Sequence, residues 1–160
     1  GITAEDFNYP TRLVVRDVAL QPESAKQLRA AQTSLPFTEV KTEVAIDRIT
    51  SQANPRDMER VPAGAVFGPM ELVYSIYGEK DVDWLMVLLD SLQLLEDDYL
   101  GGSGSRGSGK IAFSDLSLRL KSAVDYRNPV PLGTFADLTQ LSEQFPAVVE
   151  NIYAALRNGV

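Results

Sequence analysis

The chain contains no cysteine and no histidine. Without cysteine there are no disulfides and no thiolate metal sites. Without histidine there is no Ser-His-Asp or Cys-His catalysis, no imidazole general base and almost no route to a zinc site. Any chemistry falls to carboxylates, Lys, Tyr or Ser. No apolar run approaches the length of a membrane span and the start lacks a secretory pattern, so the expected compartment is the cytoplasm, with no membrane partner. Net positive charge is also lacking. A formal charge of −7 argues against a free-standing nucleic-acid binder, which is usually basic.

What is present is enough for one domain with a real core: 160 residues, 44% of them hydrophobic. Acid and base are unevenly placed. The stretch Gly101–Arg127 holds five cations (Arg106, Lys110, Arg119, Lys121, Arg127) against Asp115 and Asp125, while Glu79–Asp98 is strongly acidic. That pattern suggests one positive surface on an acidic body.

The densest signal is Gly101-Gly102-Ser103-Gly104-Ser105-Arg106-Gly107-Ser108-Gly109-Lys110, in which five of ten residues are glycine. Glycine admits positive φ and close backbone approach. Successive exposed N–H groups in such turns cradle anions, and Arg106 and Lys110 add charge suited to phosphate. Gly102, Gly104 and Gly107 spell G-x-G-x-x-G. Gly104 to Lys110 spells G-x-x-x-x-G-K, with Ile111 where a P-loop needs Ser or Thr. Both motifs need a strand before the glycines and a helix after them. Here an apolar-periodic helix precedes and an alternating segment follows, which disfavours a nucleotide site.

Element by element, Arg12–Leu20 reads as a strand. Pro22 is placed for a first helical position, with a short helix over Glu23–Ala31. Leu35–Gly64 shows no sustained period, carries Pro36, Pro55 and Pro62, and reads as a long irregular segment, a functional sign in a compact domain. Ala65–Tyr77 alternates as a strand ended by Gly78. Asp81–Leu95 is the clearest helix, on Val82, Leu85, Met86, Leu89 and Leu92, with Asp81 or Asp83 as cap. Glu96-Asp97-Asp98 puts acid at its C-terminus, the wrong sign for the dipole, so a Lys or Arg partner is expected. Ile111–Leu120 reads as a strand with a bulge near Ser114-Asp115. Asn128-Pro129 and Pro131 break it. Thr134–Asp137 resembles a capping box before a terminal helix pair kinked at Pro146, with Gly159 as its cap. The second half then reads as a βαβ unit, and the whole as an α+β protein of ferredoxin-like type.

Several blocks resemble the RAMP superfamily of CRISPR-associated proteins, and within it the Csm3-like backbone subunit of type III interference complexes. They are Leu94–Leu100 running into Gly101–Lys110, Arg12–Asp17, Pro36–Glu43, Ile46–Thr50 and Glu59–Gly64, in that family's order. The resemblance covers roughly Thr11–Phe113. It implies an RNA-recognition-type ferredoxin fold with the glycine loop between the second helix and the last strand. It also implies binding of guide RNA and target RNA, assembly with other effector subunits including copies of itself, and target cleavage with a divalent metal, Mg or Mn. It divides the chain into a RAMP-type portion over 1–126 and a helical C-terminal extension over 127–160. The segment at about 36–64 corresponds to the family's thumb. There Lys41, Arg48, Arg56 and Arg60 suit phosphates, and Ile49 suits a base wedge with Met58 and Val61. With Gly101, Gly102, Ser103, Gly104, Ser105, Arg106, Gly107 and Lys110, these form the expected RNA-binding set. Against it, Glu43, Asp47, Asp57 and Glu59 leave the thumb segment near neutral.

The family's catalytic Asp lies in an N-terminal portion that the matched blocks leave out. Gly1–Pro10 reads as an interior piece of something longer. The resemblance therefore assigns no catalytic and no metal-binding residue here. A half sheet of this kind is expected to expose an edge and an apolar face, and not to be stable alone. Two other readings stay open: a metal-dependent endoribonuclease using carboxylates such as Asp47, Asp97 or Asp98, and a small-molecule phosphate binder at the glycine loop.

Overall fold

A computed structural model describes residues 10–31, 33 and 35–157. The chain divides into two compact units, Gly1–Tyr74 and Ser75–Val160. The architecture is mixed α/β, as expected. The described strands form three two-stranded antiparallel sheets.

In the first unit, β1 (Leu13–Val15) pairs with β4 (Leu72–Tyr74), Leu13 opposite Tyr74. Beyond the ladder the same two segments stay together through Arg16 N–H to Glu71 O (3.0 Å), a Leu20–Phe67 bridge and Gln21 N–H to Val66 O (2.9 Å). The two long strands read from the alternation are thus shorter. α1 (Pro22–Ala30) starts with Pro22 in its first turn, as its fixed φ favours, and buries Ser24 and Leu28. The Ser24 Oγ accepts the Val66 N–H at 2.9 Å, which satisfies the buried hydroxyl and ties the helix to the loop before β4.

The segment expected to be irregular is instead a hairpin. β2 (Glu39–Ile46) pairs in full register with β3 (Ala53–Arg60). Its sequence hides this for a physical reason. β3 carries Asn54, Pro55 and charges rather than an apolar alternation. In a sheet of only two strands, each has an outer edge where a proline costs no ladder bond.

The second unit holds α2 (Glu79–Asp97), β5 (Ser114–Leu120), β6 (Val130–Asp137) and α3 (Leu138–Arg157). Its core is Val82 and Leu89 of α2, Phe135 of β6, and Leu138, Leu141, Phe145, Val148 and Ile152 of α3. The three-four spacing of the α3 set makes one apolar stripe. The Asp81 carboxylate accepts the Tyr77 and Gly78 N–H groups at 2.8 and 3.1 Å, so Asp81 closes the start of α2.

Several expectations differ from the structure. Among the described residues β4 pairs with β1 and β5 pairs with β6, and no ladder joins the two pairs into the expected βαβ unit. The prolines after Asn128 do not end the sheet: Val130–Asp137 is a strand, with Pro131 opposite Arg119 where the register shifts. A shifted register is where a missing N–H is tolerated. The expected irregularity at Ser114-Asp115 is a left-handed Asp115 (φ 56°), and the shift falls later, at Leu118/Arg119. α3 is one helix. Pro146 lies on its exposed side, where water can serve the carbonyl left without a donor. Thr134 is in a strand, and Asp137 does the capping by accepting the Gln140 N–H at 2.8 Å. Gly159 lies outside the described residues.

Candidate functional site

The candidate residues fall in two places, one in each unit. In the hairpin, alternation puts Glu39, Lys41 and Glu43 on one face, opposite Arg60, Met58 and Arg56. This charged face is the better covered of the two. Arg60 Nε donates to Glu39 Oε1 at 2.5 Å and Arg56 Nη2 to Glu43 Oε2 at 3.1 Å, with Lys41 Nζ 3.8 Å from the same Glu43. Three of the four expected phosphate cations are thus engaged with carboxylates. The other face carries Val40, Val44 and Ile46 outward into solvent.

Arg48 and Ile49 occupy the hairpin tip. The Asp47 carboxylate builds it, accepting the Ile49 and Thr50 N–H groups at 2.7 and 2.9 Å. Those backbone bonds, Thr50 first, hold the Asp47 carboxyl below the usual carboxylate range. The turn leaves Ile49 94% exposed. Among the described residues Arg48 has no ion-pair partner.

The glycine loop lies between α2 and β5, where the periodicity places it. It is a built structure. Leu100 N–H donates to Gly109 O at 2.8 Å and closes its neck. Within it Gly104–Arg106 forms one 3-10 turn, stabilised by Arg106 N–H to Ser103 O (3.0 Å) and Gly107 N–H to Gly104 O (2.9 Å). Ser103 is left-handed (φ 63°) and is followed by this right-handed turn. A residue pair of opposite hand directs successive N–H groups to one side, the geometry that holds anions. Among the described residues, the Gly102, Gly104 and Ser105 N–H groups have no acceptor.

Two glycines are required by contact. A Cβ on Gly104 would lie 2.0 Å from the Tyr99 ring, and one on Gly109 would lie 2.4 Å from the Leu100 carbonyl oxygen. Tyr99 is thus the floor of the loop. Neither Tyr99 nor Glu96 stands out as a site residue in the sequence. The available signal was the acid at the end of α2. Lys110 answers it: its Nζ donates to the Glu96 carbonyl, and Glu96 Oε1 accepts the Phe113 N–H at 2.5 Å. Lys110 therefore acts as the expected basic partner of the helix C-terminus.

Asp47 is in one unit, Asp97 and Asp98 in the other. Among the described residues no group of three His, Cys, Asp or Glu side chains is arranged to hold a metal ion. No helix of the described residues is long and apolar enough to cross a membrane.

A sequence model of the RAMP superfamily matches residues 7–112, a span that includes both places. The chain is 41% identical over 131 residues to the CRISPR system Cms endoribonuclease Csm3 of Methanothermobacter thermautotrophicus, covering 82% of this chain and 53% of that protein. It is 43% identical over 121 residues to the protein of the same name from Methanocaldococcus jannaschii (74% of this chain, 46% of that one). With that of Streptococcus thermophilus it shares 46% identity over 108 residues (66% and 47%). The chain spans about half the length of these curated relatives.

Proposed function

The chain belongs to the RAMP superfamily, and on that premise we propose that it is an RNA-binding backbone subunit of a type III CRISPR ribonucleoprotein complex. It holds guide RNA, positions target RNA and assembles with other effector subunits in the cytoplasm. The observation that carries this reading is the glycine loop, where, among the described residues, three N–H groups beside Arg106 lack acceptors. A phosphate ester is the ligand such a cradle suits. The hairpin tip supports a second contact, through Arg48 and the exposed Ile49.

The finer fold assignment, a ferredoxin-like sheet, is part of the same proposal. α2 is apolar on two sides. One packs in the core, and the other presents Trp84, Val87 and Leu94 to solvent. A helix with two apolar faces suits a layer packed on each.

The relatives are named endoribonucleases. No cleavage step is assigned to residues here; among the described residues no group of three or more His, Cys, Asp or Glu side chains is arranged to hold a metal ion. The proposal is tested by titrating a labelled single-stranded RNA into the chain at several salt concentrations. Arg106→Ala should weaken binding and lower the salt slope by about 0.7, the value for one phosphate contact on a single strand. Equal affinity and slope in the two proteins would refute it.

A further inference from the structure

The structure assigns a separate contact with single-stranded RNA to the loop that joins β5 and β6, a role that rests on the RNA-binding reading above. This loop lies beyond residue 112, where the family match ends. Along β5, Leu116, Leu118 and Leu120 turn inward, so Ser117, Arg119 and the following Lys121 turn outward. Lys121 Nζ sits 4.8 Å from the centroid of the Tyr126 ring, which is itself 65% exposed. Arg127 follows directly, and Val124 stands 85% exposed beside them.

The loop is organised from within. Ser122 is buried, and its Oγ accepts the Val124 N–H at 3.0 Å. Asn128 Nδ2 donates to both oxygens of Asp125, at 2.9 and 3.0 Å. The anion of the loop is thereby held by the loop's own amide. Among the described residues, Arg119, Lys121 and Arg127 have no carboxylate partner.

Proteins that hold single strands combine cations that track the backbone with aromatic rings on which bases stack. This loop has both, on a chain that is otherwise acid-rich. A Tyr ring with an ammonium over it offers a stacking platform next to a charge. An acidic protein surface would use the cations but give no reason for the exposed ring.

The test uses the full chain and a single-stranded RNA carrying 4-thiouridine, photo-crosslinked and mapped by mass spectrometry. Adducts are expected at Tyr126 as well as in Gly101–Lys110. In parallel titrations Tyr126→Ala should weaken binding by about fivefold to a hundredfold, the range for one stacked base, while Tyr126→Phe should bind like wild type. Adducts confined to Gly101–Lys110, with wild-type affinity in Tyr126→Ala, would overturn this inference and leave the proposed function standing. Absence of adducts at either place, with Arg106→Ala also unaffected, would overturn both. Loss of subunit capture in Tyr126→Ala with RNA affinity intact would make the loop a protein interface, and overturn the RNA assignment. The crosslink on wild-type protein needs no variant to fold.

Discussion

Lys110 caps the helix that leads into its own loop: its ammonium donates to the backbone carbonyl of Glu96, fourteen residues earlier. The Glu96 side chain in turn accepts the Phe113 N–H. One residue pair thus holds the end of α2 and the chain entering β5 at a fixed separation. The glycine loop spans that separation. A cation placed on orphan helix carbonyls also offsets the three acids that end α2.

Lys110→Ala is therefore expected to act on stability first. A cation at a helix C-terminus contributes about 0.3–1 kcal/mol at an exposed position, and the variant should lose about that much in denaturant unfolding. Lys110→Arg should retain most of it. Unchanged unfolding in Lys110→Ala would mean that the contact does not hold the helix end.

Gly104→Ala places a methyl group into the Tyr99 ring. Overpacking of this kind costs about 1–3 kcal/mol when the neighbour cannot yield. The loop is then expected to lose its 3-10 turn, and RNA binding with it. Tyr99→Ala in the same chain should restore much of the binding, giving a clear coupling in a double-mutant cycle. Strictly additive effects would show that Tyr99 does not support the loop.

At the hairpin tip, Asp47 is held in its charged form by the Thr50 and Ile49 N–H groups. Its folded pKa lies below the ordinary value, so the stability it lends is present above that value and is lost as pH falls through the folded pKa. Amide shifts of Ile49 and Thr50 should follow this low titration, and both dependences should vanish in Asp47→Asn. A normal Asp titration at those amides would contradict the turn geometry. The same bonds give Asp47 a structural task in the turn.

Tyr153 in α3 donates its hydroxyl to Asp83 Oδ1 in α2 at 2.8 Å. That bond, aided by desolvation and by the Asp83 charge, raises the phenol above its usual pKa of about 10. The stabilisation is complete below that unfolded value and is lost as pH rises through the folded pKa. An ultraviolet titration of Tyr153 should show late ionisation, returning toward the ordinary value in Asp83→Asn. No difference between the two proteins would remove this link between the helices.

Particular residues show what the sequence can and cannot display. α1 and α2 were legible because Pro22, and Val82 with Leu89, mark a start and a core stripe without tertiary help. The helix-before, strand-after setting of the glycine loop followed from the same periodicity. The β2–β3 hairpin was hidden because its better-covered face is a ladder of ion pairs, Glu39–Arg60 and Glu43–Arg56, while Val44 and Ile46 face solvent. β6 was hidden by Pro131, whose tolerance depends on a register shift against Arg119 that only pairing creates. Of the site, the loop's glycines and charges could be read directly. The engagement of Lys41, Arg56, Arg60 and Lys110 with local acceptors could not, because each partner is brought close by the fold.

The central claim is that this chain carries guide RNA. The most direct measurement is to purify the chain with its natural partners and sequence the RNA that comes with it. Short RNAs of uniform length bearing repeat-derived sequence are expected, depleted when Arg106 is replaced by alanine. An assembly free of RNA, or one carrying only bulk cellular RNA without repeat-derived ends, would contradict it.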